Sequence, residues 1–148
     1  MNVEEIIKTN KEMSIETRTI IHLSLVNSRL NEAMTNALKP FDVSLQQFNV
    51  LRILRGQNGS PANLSTLNER MVTKMSNTTR LVDKLLLKGF VDRKICPTNR
   101  RKIEICITAN GEESLLEMDK AVELAEVEVL AGFSHQDLEE LNNLLDKF

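Results

Sequence analysis

The chain has 148 residues, of which 41% are hydrophobic and 27% are charged, a composition typical of a folded domain with a real core. No apolar run approaches the roughly 18 residues that a membrane span requires, and the acidic start, Met1 to Glu5, lacks the basic segment of a signal peptide. Two cysteines are too few for a disulfide scaffold, so we expect a cytoplasmic protein with no membrane partner.

Charge is distributed unevenly along the chain, although the net charge is only −2. Residues 70–102 contain ten lysines and arginines against two aspartates, a charge of +8, whereas residues 103–148 carry −10. A basic segment of this kind is typical of a surface that binds a polyanion. The alternative, a solvated face that pairs with the acidic tail, is equally compatible with charge alone.

The first part of the chain is predicted to form two helices. Apolar residues at i, i+3 and i+4 spacing predict a long helix from about Ser14 to Leu38, which Pro40 ends. Apolar residues lie on more than one side of this helix, so we expect it to have more than one packing partner. Ser44 and Gln47 form a capping box for a second helix through Leu54.

Two shorter helices follow a loop. Asn63 is the predicted N-cap of the first, which ends near Met71, and Thr73 is the predicted N-cap of the second. The second helix ends at Lys88-Gly89, where a cation in the last turn precedes a C′ glycine. Two short helices joined by a tight turn indicate a helix-turn-helix.

A change of period then predicts a β-hairpin. Isoleucines at positions 103, 105 and 107 alternate with polar residues, and the strands are predicted at Phe90–Ile95 and Lys102–Ile107. The connector Pro97–Arg101 is rich in turn residues and basic. With a turn centred near Asn99, Cys96 faces about Lys102 and Cys106 faces about Asp92, so we do not expect a disulfide between the two cysteines.

Two further helices complete the chain. Thr108 begins a helix of about 20 residues, and Ser134 to Asp137 caps a final helix that carries four leucines. The predicted fold class is therefore mainly α (α+β), a single domain over residues 1–148. A helix-turn-helix followed at once by a basic hairpin is a winged helix, in which one helix fits the DNA major groove and the hairpin reaches the minor groove.

Short hydrogen-bonding side chains framed by cations occupy the start of the second helix of this unit, Lys74 to Arg80. They suit close approach to base edges, although Ser, Asn and Thr also cap and solvate helix ends. Periodicity turns Thr78, and partly Asn77, inward and leaves Ser76, Thr79, Arg80 and Asp83 outermost. We expect Thr78→Val to be tolerated or stabilising.

At these residues the chain resembles the multiple-antibiotic-resistance regulator (MarR) family. The resemblance covers the whole helical layout, and its specific motifs lie between residues 63 and 111: Leu67–Met71, Ser76–Leu85, Lys88–Arg93, Pro97–Arg101 and Ile107–Gly111. It implies a sequence-specific regulator, usually a repressor, that binds double-stranded DNA as a homodimer. It also implies a possible small-molecule effector of unknown identity.

The resemblance divides the chain into a DNA-binding lobe at about residues 40–111 and helical dimerisation regions at about 1–39 and 112–148. A thick monomeric core is the alternative use of the apolar terminal helices. The predicted DNA-contacting residues lie in the second helix and at the wing tip: Lys74, Ser76, Asn77, Thr79, Arg80, Lys84, Arg100 and Arg101.

Two positions depart from the family pattern. Asn99 stands where the family usually has an aspartate that braces the wing-tip arginine, Arg101, so we expect a less ordered wing. Asn68 replaces a small residue, which we expect to loosen helix packing slightly.

Catalytic and metal-binding motifs are missing from the sequence. There is no glycine-rich phosphate loop, no His-Glu-x-x-His motif and no nucleophile elbow, so we expect no enzyme activity, no cofactor and no metal. His22 and His135 are interpreted as surface residues, and the two cysteines as structural. A winged helix that docks on protein rather than on DNA is the alternative function; DNA binding predicts a strong salt dependence that docking through an apolar patch does not.

Overall fold

The computed structural model describes residues 2–72, 77–96 and 99–148, and for residues 96 and 99–102 it describes the backbone alone. In chain order the elements are α1 (Val3–Ile6), α2 (Ile15–Leu38), a 3-10 turn (Lys39–Phe41), α3 (Leu45–Arg55), α4 (Leu64–Arg70), α5 (Thr78–Leu87), β1 (Val91–Cys96), β2 (Asn99–Ile107), α6 (Ala109–Leu130) and α7 (His135–Leu145). The mainly helical α+β class is confirmed. None of the helices within the described ranges is long and apolar enough to cross a membrane.

The helices begin where the sequence places their caps, with one exception that concerns α5. Ser14, Ser44, Asn63, Thr108 and Ser134 each accept a backbone N–H bond from the first turn of the helix that follows. The capping boxes at Ser44 and Ser134 are both complete. Local side-chain chemistry therefore sets these boundaries, because each cap satisfies a donor that the helix cannot satisfy itself.

Helix α1 is a feature that the sequence analysis missed, since four residues show no measurable period. Val3 is fully buried, and Glu4 accepts a hydrogen bond from Arg18 of α2 at 2.8 Å. The Arg18 hydrogen bond is the main reason that the pKa of Glu4 lies below its usual value. Side-chain contacts with α2, rather than helix propensity, hold this short segment in place.

The hydrophobic core is centred on α3, which packs against α2, α4, α5, α6 and β2. Phe48, Leu51 and Leu54 form its buried face. Around them lie buried side chains from α2, α4, α5, β2 and α6: Leu38, Leu67, Val82, Leu85, Ile105, Leu115 and Met118. This core fixes the positions of α4 and α5, the two helices on which the predicted site lies.

The hairpin is antiparallel, and its register confirms the predicted alternation, with Ile105 fully buried. Cys106 pairs with Asp92 as expected and is a free, half-buried thiol. The prediction that Cys96 faces Lys102 is wrong, because a register shift after Ile95 pairs its backbone with Asn99 instead. The strands therefore extend further towards the turn than predicted, and β2 begins at Asn99 rather than Lys102.

A backbone bridge anchors the hairpin to the lobe. Ala62, in the loop before α4, and Ile105 of β2 exchange N–H···O bonds of 2.9 and 2.8 Å. Both residues are buried. The bridge thus fixes β2 beside the loop that precedes α4.

Candidate nucleic-acid interface

Helices α4 and α5 form the predicted helix-turn-helix. Helix α4 starts at the Asn63 cap, and its C-terminus at Met71 is buried against the core. The Thr78 hydroxyl, in the first turn of α5, donates a hydrogen bond to the Asn68 side-chain oxygen in α4. A direct polar contact therefore joins the two helices near the turn between them.

One face of α5 is buried and the other is exposed. Thr78, Val82 and Leu85 are buried, which confirms the predicted helix phase and the inward position of Thr78. Asn77, which periodicity turns partly inward, is instead exposed, because it precedes the helix as its N-cap residue. The exposed face carries polar and charged side chains: Asn77, Thr79, Arg80, Asp83 and Lys84. Burial of the apolar stripe leaves the hydrogen-bonding groups available to a ligand.

The start of α5 differs from the prediction. The sequence placed the cap at Thr73, whereas the helix begins at Thr78, and Asn77 is its N-cap residue. The Asn77 side chain makes no capping bond. The Asn77 side chain therefore accepts no hydrogen bond from the backbone N–H groups in the first turn of α5. Backbone N–H groups at a helix N-terminus favour an anion.

An ion pair joins the hairpin to α5. Arg93 of β1 donates a hydrogen bond to Asp83 of α5 at 3.1 Å, and both side chains are partly exposed. This contact was missed by the sequence analysis, which treated Asp83 only as an outward-facing residue. An ion pair at this exposure adds little stability, but it orients the hairpin relative to α5 and neutralises a carboxylate on the exposed face.

Residues 43–103 match the sequence model of the MarR family. Over this stretch, from α3 into β2, the chain is similar to the MarR family. The HTH-type transcriptional repressor IacR of Pseudomonas putida is 25% identical over 124 residues, which are 84% of this chain and 73% of that protein.

Solved structures of the family share the fold over nearly the whole chain. The MarR transcription factor from Planctomyces limnophilus has a TM-score of 0.73 at 25% identity, covering 93% of this chain and 100% of that one. A mutant of MarR from Escherichia coli complexed with operator DNA has a TM-score of 0.76 at 24% identity, covering 90% and 93% of the two chains.

Some of the predicted DNA-contacting residues lie close together in the structure, and the others belong to parts of the chain that the structure does not describe. Asn77, Thr79, Arg80 and Lys84 lie on or directly before the exposed face of α5. Lys74 and Ser76 lie outside the described residues. Arg100 and Arg101 are in β2. Their side chains, and that of Asn99, lie outside the described part of the structure.

The second departure from the family pattern has a structural role. Asn68 was expected to loosen the packing of α4, but its side-chain oxygen accepts the hydrogen bond from the buried Thr78 hydroxyl. Asn68 and Thr78 thus form a matched polar pair inside the helix-turn-helix. Such a pair satisfies a hydroxyl that would otherwise be buried without a partner.

Among the described residues, no cluster of three or more His, Cys, Asp or Glu side chains could hold a metal ion. His135 is exposed and lies 3.6 Å from Glu139, one turn along α7. The arrangement of the site is therefore one of hydrogen-bond donors, cations and helix amides.

Proposed function

We propose that this protein is a sequence-specific, DNA-binding transcriptional regulator, of repressor type, that acts by binding and catalyses nothing. The observation that carries the proposal is that helix α5 has one buried apolar face and one exposed polar face. Its apolar stripe is locked in the core, while Thr79 and Arg80 stand exposed beside the N-terminal amides. A helix that presents such groups at its start suits the major groove, where base edges offer distinct donor and acceptor patterns.

Charge supports DNA rather than protein as the partner. Residues 70–102, which contain α5, β1 and the start of β2, carry +8 in a chain whose net charge is −2. Of the two acidic side chains in that segment, Asp83 is paired with Arg93. Acidic residues of the same segment therefore neutralise few of its positive charges. The segment is suited to bind the phosphate backbone of DNA.

We assign different roles to the two ends of the interface. Thr79 and Arg80 contact base edges or nearby phosphates in the major groove, together with Ser76 and Asn77. Lys74 and Lys84 contact the backbone. Arg100 and Arg101, near the hairpin turn, reach the adjacent minor groove, whose negative potential favours arginine.

The terminal helices support a homodimer. Of the 24 residues of α2, only Leu38 is buried, and no residue of α7 is buried. Large apolar side chains on these helices and on α6 are exposed: Ile15, Ile20, Leu124, Val127, Leu144 and Leu145. Exposed apolar surface of this extent is normally covered by a partner, and a second copy of the chain brings matching surfaces.

The proposal is tested by selecting bound fragments from random duplex DNA with the purified protein. We expect a pseudo-palindromic site whose halves lie about 10 bp apart, one helical turn, as two symmetry-related α5 helices require. Light scattering at micromolar concentration should give twice 16.8 kDa. Recovery of no consensus, or a monomer on an asymmetric site, would refute the proposal.

A salt titration on the selected site separates DNA binding from docking on protein. Arg80→Gln should weaken binding and flatten the slope of log affinity against log salt by about one unit if Arg80 neutralises a phosphate. Lys11→Gln is the matched control, because Lys11 is equally cationic and exposed but lies before α2. A slope near zero for the unmodified protein would favour the protein-docking alternative.

A further inference from the structure

The sequence contains two Asn-Gly pairs, Asn58-Gly59 and Asn110-Gly111, and the structure places them in opposite environments. Asparagine before glycine is chemically labile, because the next backbone nitrogen is able to attack the side-chain amide and glycine has no side chain to hinder the attack. The attack requires the backbone between the two residues to rotate. Reaction in a folded protein therefore depends on which contacts have to break before that rotation.

Asn58 and Gly59 are the central residues of an exposed turn between α3 and α4. The Ser60 N–H donates to the Gln57 carbonyl at 3.0 Å, and φ is +50° at Asn58 and +82° at Gly59, which are the features of a type I′ turn. The Gly59 N–H donates to no backbone carbonyl of the described residues, and a Cβ at Gly59 would meet no atom within 4 Å. Because one hydrogen bond at the surface closes this turn, it opens without disturbing the core.

Asn110 and Gly111, by contrast, lie in the first turn of α6, where two contacts hold the backbone. The Gly111 N–H, whose nitrogen would be the attacking atom, donates to the Thr108 hydroxyl of the helix cap at 3.0 Å. Gly111 is also buried, and a Cβ there would overlap the Phe90 carbonyl oxygen, so the two backbones are tightly packed. Rotation next to Asn110 therefore requires the start of α6 to unfold locally.

We propose that Asn58 is a site of spontaneous deamidation, and that the fold directs this modification to Asn58 and away from Asn110. The Gly59 nitrogen loses its proton to solvent base and forms a bond to Cγ of Asn58. The Cγ–Nδ2 bond then breaks, which releases ammonia and leaves a cyclic succinimide. Water adds to one of the two ring carbonyls, and ring opening gives aspartate or isoaspartate at position 58. The net reaction consumes one water and releases one ammonia, with no change of oxidation state.

The two products differ in their effect on the turn. Both add one carboxylate to a chain whose net charge is already −2. Aspartate tolerates the positive φ of this position as asparagine does, whereas isoaspartate lengthens the main chain by one CH₂ group and does not fit between Gln57 and Ser60. The turn ends two residues before Ala62, whose backbone bridge to Ile105 fixes β2. We therefore expect isoaspartate to loosen this bridge.

The direct test is incubation of the folded full chain in mildly alkaline buffer, followed by trypsin digestion and mass spectrometry of the peptides. Cleavage gives the peptide Gly56–Arg70, which contains Asn58, and the peptide Ile103–Lys120, which contains Asn110. We expect deamidation at Asn58 to be at least about tenfold faster than at Asn110, because the reaction at Asn110 first breaks a cap bond and buried packing. In guanidinium chloride, where neither environment persists, the two rates should agree within about threefold.

Two variants make the test specific. Asn58→Gly keeps a residue that accepts positive φ but removes the reactive amide, so its Gly56–Arg70 peptide should show no deamidation. Thr108→Val removes the acceptor of the Gly111 N–H, so it should accelerate the reaction at Asn110 at least about threefold and leave the rate at Asn58 unchanged. Equal rates at Asn58 and Asn110 in the folded protein, or a folded-state rate at Asn58 more than about tenfold below its rate in guanidinium chloride, would overturn the proposal.

Hydrogen exchange at the Ala62 and Ile105 amides tests the expected consequence for the hairpin. In the isoaspartate form, isolated by chromatography, both amides should exchange at least about threefold faster than in Asn58→Asp, which has the same charge without the longer main chain. Equal exchange in the two forms would show that the bridge is independent of the turn, and the expected loosening would be wrong.

Discussion

The hydrogen bond between Thr78 and Asn68 reverses the effect expected for Thr78→Val. On periodicity alone the substitution replaces a buried hydroxyl with a methyl group of the same shape, which predicts tolerance or a gain. In the structure the hydroxyl donates to Asn68, so the valine loses one hydrogen bond. We expect the free energy of unfolding to fall by about 1 kcal/mol, since the half-buried Asn68 can recruit water.

Asn68→Ala should cost more, about 1–3 kcal/mol, because it leaves the buried Thr78 hydroxyl without its acceptor. When both residues are replaced, no unpaired group remains, so the double variant should be more stable than the sum of the single changes predicts. The expected coupling is about 1 kcal/mol.

The assay is equilibrium urea unfolding followed by circular dichroism at one fixed protein concentration, because the proposed homodimer would make the measured stability depend on concentration. A loss of 1 kcal/mol corresponds to about 2–4 °C in melting temperature for a chain of this length. Thr79→Val is the matched control, because the same chemical change at the exposed neighbour should stay within about 0.5 kcal/mol. Additivity of the two changes within about 0.3 kcal/mol, or a more stable Thr78→Val, would refute the reasoning.

Three further predictions concern the interface and its support. Thr79→Ala should reduce discrimination between operator and scrambled DNA by about 1–3 kcal/mol with stability nearly unchanged; loss of stability instead would place Thr79 in the core. Arg101→Ala should weaken binding to most sequences alike and reduce the salt slope by about one unit, whereas a changed base preference at constant slope would contradict its role as a sequence-tolerant contact in the minor groove. Gly111→Ala should destabilise the fold by about 1–3 kcal/mol in thermal melts, because the added Cβ would overlap the Phe90 carbonyl oxygen and lie 2.9 Å from Ile107 Cγ1; an unchanged melting temperature would show that the backbone yields there.

Many features of the fold were predictable because their causes are local. The caps at Ser44 and Ser134 satisfy donors within three residues of themselves, so the sequence alone locates the helix starts. The alternation of apolar and polar residues around Ile105 predicts a strand of the hairpin. This prediction is also local, because side-chain direction in a strand follows sequence order. The helix phase that buries Thr78 follows from the spacing to Val82 and Leu85.

The features that were missed or corrected depend on residues far apart in the chain. The amide of Asn68 was expected to loosen a helix, and only the approach of α5 shows that it accepts from Thr78. The pairing of Arg93 with Asp83 requires the hairpin to fold back beside α5, which no local pattern specifies.

The sequence by itself determined the order of elements, the caps, the buried stripe of α5 and the basic segment, because period and capping operate over a few residues. Tertiary structure decided where α5 begins, which polar groups meet inside the helix-turn-helix, and that Gln47 lines a cleft together with Lys39 and Lys84. The physical reason is that a hydrogen bond or a charge cluster between separate elements exists only once the core has set the distances between them.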